Sequence, residues 1–165
     1  RRELDESGDG KPDAFEQYAA GRMIAREVDR DANGARDAFY RFDAGSLLEE
    51  RHDADGDGRT ELTIVYENRV RVRTEEDQNK DGRPDVWTYY AREASGTEYV
   101  TRIERDKGGE GKPDSFETFA QQDGKTVLVR REEDANGDGT IDITSVYENG
   151  KLKTREVSDP ALIPL

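Results

Sequence analysis

The chain has 165 residues, of which 32% are hydrophobic and 39% charged, with a formal charge of −13 at pH 7 and no cysteine. Such an acidic balance argues against nucleic acid or an anionic membrane surface as partner, since both are met through clustered Lys and Arg; the missing cysteine removes disulfides and thiolate metal sites. No apolar run approaches the roughly 18 residues of a transmembrane helix, and so few hydrophobic residues imply that something other than a large core orders the chain.

Taken in chain order, the text repeats itself six times. The first unit has the acidic loop DESGDGKPD from Asp5, an extended stretch carrying Tyr18, a turn at Gly21 and a second extended stretch. The second has DRDANGARD from Asp29, then Phe42 and Gly45; the third has DADGDGRTE from Asp53, then Tyr66 and Glu67-Asn68. The fourth has DQNKDGRPD from Asp77, then Tyr90 and Ser95-Gly96; the fifth has DKGGEGKPD from Asp106, then Phe119 and Asp123-Gly124; the sixth has DANGDGTID from Asp134, then Tyr147 and Asn149-Gly150. The loops start 24, 24, 24, 29 and 28 residues apart, and the ring always falls five residues after the ninth loop position. Repeats of this length are the mark of arrays.

The stretches TIVYENRVRVRTE and DITSVYENGKLKTRE hold β-branched and aromatic residues without a 3.6-residue stripe, so they predict strands. Gly-containing and Asn-Gly pairs supply the positive φ of tight hairpins. The expected fold is therefore all-β: an antiparallel repeat array of about six β-hairpins linked by acidic loops, twisted or curled, with solenoid, barrel and propeller-like closure left open. Residues 1–157 are expected to form a single domain and 158–165 a tail or cap. The longer fourth and fifth units, with EASGTEY and AQQDGKT, predict lengthened hairpin tips. In such a meander all loops share one edge, about 10 Å apart, which predicts a row of six sites.

The loops carry the chemistry. Calcium takes six to eight oxygen ligands at about 2.3–2.6 Å, and acids at alternate positions can converge on it while glycine at position six permits the turn and residue seven lends a carbonyl. The candidate ligands are Asp5, Ser7, Asp9 and Asp13; Asp29, Asp31, Asn33 and Asp37; Asp53, Asp55, Asp57 and Glu61. They continue with Asp77, Asn79, Asp81 and Asp85; Asp106, Glu110 and Asp114; Asp134, Asn136, Asp138 and Asp142. Ser7 is a weaker ligand than an acid, and the fifth loop, with Gly108 at position three, departs furthest from the pattern. The bidentate Glu that closes an EF-hand loop at position twelve is replaced by Glu16, Tyr40, Ile64, Thr88, Glu117 and Ser145, so a helix-loop-helix sensor is not expected. One such loop could be a solvated turn. Six in register would each gather carboxylates at short range, which is costly without a cation. Five or six calcium ions are expected, and six would cancel nearly all of the formal −13. A further acid two residues before the loop, Glu3, Glu27, Glu75, Glu104 and Glu132 with Arg51 as the exception, is expected to supply or orient a ligand.

The D-x-[DN]-x-[DN]-G-x-x-[DE] loops resemble the calcium loops of dockerins, thrombospondin type 3 repeats and EF-hand-like repeat proteins of bacterial envelopes. The strand text, VYENGKLKTRE above all, is similar to MORN-like hairpin repeats. The resemblance runs from Glu3 to about Glu156. It implies a non-enzymatic calcium-binding scaffold that is extracellular, at the cell surface or periplasmic, as a lipoprotein or a fragment of a larger chain, with a protein or polysaccharide partner.

Two alternatives stay open. A polysaccharide- or protein-binding module would show an exposed aromatic patch, with Trp87, Tyr89 and Tyr90 as first candidates; a glycan-active enzyme would need a pair of acids apart from the loops. His52, the single histidine, is expected to be exposed at a loop edge. The Arg and Lys residues of RVRVRTE, VTRIERD, LVRREED and KLKTRE are expected to pair across strands with Glu, a basic stripe for a partner being the alternative.

Overall fold

A computed structural model describes residues 1–162. It is all-β, thirteen strands followed by one turn of 3-10 helix at Pro160–Leu162, so the cap expected over 158–165 is described only through residue 162. The chain divides into two units, residues 1–83 and 84–165. The first holds β1 (Arg2–Leu4), β2 (Ala14–Ala19), β3 (Arg22–Val28), β4 (Ala38–Asp43), β5 (Ser46–His52), β6 (Leu62–Glu67) and β7 (Val70–Glu76). The second holds β8 (Val86–Arg92), β9 (Glu98–Arg105), β10 (Ser115–Gln122), β11 (Lys125–Glu133), β12 (Ile143–Glu148) and β13 (Lys151–Val157).

Within each unit every strand pairs antiparallel with its sequence neighbours, so the order is a meander and neither unit closes into a barrel or propeller. In each, the turns fall on one edge and the acidic loops on the other. Five of the six turns have two residues, both at positive φ: Ala20-Gly21, Ala44-Gly45, Asn68-Arg69, Asp123-Gly124 and Asn149-Gly150. That is the hairpin geometry whose twist matches the flanking strands. The third turn sits one residue beyond the expected Glu67-Asn68, since Glu67 still pairs with Val70. The fourth tip is lengthened as expected, closed by Glu93 and Thr97. The fifth is not: its extra residues extend β10 to 8 and β11 to 9 residues, against 6 and 7 in β2 and β3.

Each hairpin carries a β-bulge that the sequence reading did not foresee. Gln17 pairs with Ala25 and Tyr18 with Met23, leaving Ile24 as an extra residue in the second strand. The same slip leaves Leu48, Val72, Thr101, Val129 and Lys153 extra in the other five hairpins. A bulge repeated at one register strengthens the right-handed twist of every hairpin.

The interior is polar. Among the described residues only Ala14, Ala38 and Val86 are buried hydrophobics, whereas ten polar or charged residues are buried, Asp13, Glu16, Asp53 and Ser115 among them. Three small apolar side chains supply little burial at about 25 cal/mol per Å², so hydrogen bonds and ion pairs must carry much of the packing. Buried Glu16 is one such centre, accepting from the Tyr18 hydroxyl at 2.8 Å with Arg2 at 3.9 Å.

Candidate metal centres in the loops

The loops are built from their own side chains. In the first, Asp5 Oδ1 accepts the N–H of Gly8 at 2.6 Å and Oδ2 that of Gly10 at 2.8 Å. Asp53, Asp106 and Asp134 hold the fourth- and sixth-position N–H groups of their loops in the same way. The fifth-position side chain accepts the N–H of residue seven, as Asp57 does from Arg59 at 2.8 Å and Asp138 from Thr140 at 2.8 Å. These are Asx turns, which Asp and Asn favour because their short side chains reach their own backbone. The ninth-position acid closes the loop. Asp13 Oδ2 accepts from Glu6 and Ser7, Asp37 from Arg30, Glu61 from Ala54, Asp114 from Lys107 and Gly108, and Asp142 from Ala135 and Asn136. Asp85 lies in the second unit, so the fourth loop is described through Asp77, Asn79 and Asp81, which bond Gly82, Asp81 and Arg83 respectively.

A ladder ties loop to loop. The N–H of each first-position residue bonds the carbonyl of the preceding ninth-position acid: Asp29 to Asp13, Asp53 to Asp37, Asp77 to Glu61, Asp106 to Asp85 and Asp134 to Asp114, all at 2.8–2.9 Å. Ser158 continues it onto Asp142 at 2.8 Å.

In the first three loops the acids converge. Asp53, Asp55, Asp57 and Glu61 each place an oxygen within 4.8 Å of the others, as do Asp5, Asp9 and Asp13, and Asp29, Asp31 and Asp37. These clusters can hold a metal ion. Two observations fit that: the donors are all oxygen, and Glu61 Oε1 and Asp37 Oδ1 are buried without a hydrogen-bond partner, although Arg30 Nε lies 4.0 Å from the latter. The acids of the fifth and sixth loops keep the same backbone bonds without forming such a group among the described residues.

Hydrogen bonds set the charge state. The N–H groups of Gly10 and Gly8 hold Asp5 below the ordinary carboxylate pKa, and the Thr140 hydroxyl and N–H do the same for Asp138. At Asp106 desolvation pulls upward, but the N–H groups of Gly111, Glu110 and Gly109 outweigh it. Asp55 is lowered by the Lys80 ammonium bonded to it.

Two expectations need correction. The glutamates before the loops sit outside the acid groups: in the first unit Glu3 and Glu27 are the lateral neighbours of Phe15 and Phe39, in the second Glu104 and Glu132 those of Phe116, and they pair with arginines, Glu27 with Arg36 at 3.0 Å, Glu75 with Arg73 at 2.6 Å, Glu104 with Arg102 at 2.5 Å and Glu132 with Arg130 at 2.8 Å. Strand alternation carries them to the face where these cations lie. His52 is not exposed. Its row mates are Ala38 and Leu62, its side chain is 15% exposed, and Nε2 lies 3.3 Å from Glu50. Of the basic residues expected to pair across strands, Arg105 and Arg131 reach Glu117 and Lys153 reaches Glu148, whereas Arg73, Arg102 and Arg130 pair with the Glu two residues on in their own strand. Trp87, Tyr89 and Tyr90 are half-buried, and Tyr18 is the sole exposed aromatic among the described residues.

Sequence reading missed the fourth loop position. Gly8, Ala32, Gly56, Lys80, Gly109 and Gly137 all have positive φ. Glycine in four of the six was the available signal. Where it is absent, the first-position Asp bonds the fifth residue instead, Asp29 to Asn33 and Asp77 to Asp81, both at 3.2 Å. Compared with known proteins, the chain matches no family model and no curated sequence.

Proposed function

We propose that this is a calcium-binding structural scaffold, in which several Ca2+ ions staple a β-hairpin array. The convergence of four carboxylates in the third loop, repeated with three in the first and second, carries the reading. The polar interior supports it, because an array with so little buried hydrophobic surface gains most from ions that bind the native state alone. Five or six ions are expected, with the fifth loop the one to stay empty if only five bind, and with Asp, Asn, Ser7 and Glu oxygens as ligands and the carbonyl of residue seven completing the set. An extracellular or periplasmic setting, where sites of roughly 0.1–1 mM affinity are filled, suits the reading, with a protein or polysaccharide of a cell envelope as partner. The test is thermal unfolding followed by far-UV circular dichroism in EDTA and across a calcium titration, with magnesium as control. The expected result is a melting temperature that climbs with calcium and hardly responds to magnesium. A melt unchanged by calcium would reduce the loops to turns.

A further inference from the structure

Lys80 breaks the small-residue rule at the fourth loop position, where every other loop has Gly or Ala. Its φ of 62° is a conformation that residues with side chains adopt at a cost, so contacts must hold it there. They come from the third loop. Arg59, the seventh residue of that loop, donates from Nη1 to the Lys80 carbonyl at 3.0 Å. The Lys80 ammonium then reaches back 25 positions to Asp55 Oδ2 at 2.6 Å. Asp55 is the third-position member of the one loop whose four carboxylates converge. An ammonium is a compact cation with three donors, and here it is bonded to one of the two oxygens of a carboxylate in the converging group.

Resting on the metal reading above, we propose that Lys80 is a built-in competitor for the cation of the third loop. It neutralises Asp55 in the metal-free protein and is displaced when a divalent ion enters. The four-carboxylate loop thus binds more weakly than its charge implies, and its filling releases a lysine at the adjoining loop. The physics is two cations contending for one carboxylate at contact distance, where like charges repel. Glu61 and Asp57 add to the attraction on the ammonium, so the competition concerns the cluster and not Asp55 alone.

The test is calorimetric titration of the metal-free full chain with calcium for the wild type, Lys80→Met and Lys80→Arg. Lys80→Met is expected to tighten one site by about threefold to tenfold; Lys80→Arg, which keeps the charge, should stay within about twofold of wild type. Acetylation mapped by mass spectrometry gives a second readout: Lys80 is protected without calcium and labelled faster with it, while Lys153, paired with Glu148 on the turn edge, does not change. Unchanged affinities in Lys80→Met, or equal labelling of Lys80 in both states, overturn the proposal. If the wild type takes up no calcium, the metal reading fails first and the proposal with it.

Discussion

A carboxylate that accepts two or three backbone N–H bonds is easier to ionise and harder to protonate. Asp5 and Asp106 are held this way, Asp138 by the Thr140 hydroxyl and N–H, and Asp55 by a lysine, so all four lie below their ordinary 3.8. A depressed folded-state pKa adds stability that is fully present above the unfolded value and lost as pH falls through the folded one. The metal-stripped protein should therefore keep its melting temperature from about pH 7 to 5 and lose it below about pH 4; a melt measured against pH that stays flat to about pH 2 contradicts this. At this scale the acids that converge in the first three loops were legible, because carboxylates at alternate positions have few other uses. The fourth position was not, because it is a demand on φ and Ala32 and Lys80 disguise it. The glutamates before the loops misled, since spacing gives a side chain's face but not the arginines that claim it.

At the level of the hairpin, a residue with none directly opposite it in the neighbouring strand decides the twist. Ile24, Leu48, Val72, Thr101, Val129 and Lys153 share a register but no single chemistry, four being aliphatic, one a threonine and one a lysine. Aliphatic residues at these places look like any other strand residue, so the bulge could not be read from the text: it is a count of residues between turn and loop. Turns were legible where glycine or asparagine announces positive φ, and slipped by one where Arg69 takes it, at 65°. Deleting Leu48 should leave Arg41 opposite Glu49 and Phe42 opposite Leu47 but remove the bulge and its added twist, and destabilise by more than about 2 kcal/mol, whereas Leu48→Ala should cost less than half of that. Urea unfolding of the two variants separates the loss of the bulge from the loss of a side chain.

For the whole chain, hairpin period and loop motif made the all-β meander plain, while the strand faces, mixed in polarity, left closure undecided. They are mixed because polar strand residues such as Glu16, Thr74 and Ser145 are buried. The loop ladder has a consequence for length. Each first-position N–H meets the same carbonyl one period earlier, so removing residues 29–52, one period of 24, would bring the Asp53 N–H to the Asp13 carbonyl that Asp29 now occupies. The shortened chain should fold and bind one calcium ion fewer, whereas removing residues 29–40, half a period, should leave it unfolded; circular dichroism and calorimetric stoichiometry distinguish them. Whole periods can then be duplicated or lost with the ladder unbroken, so the number of loops is free to change over evolution while each newly adjoining pair keeps the same backbone bond.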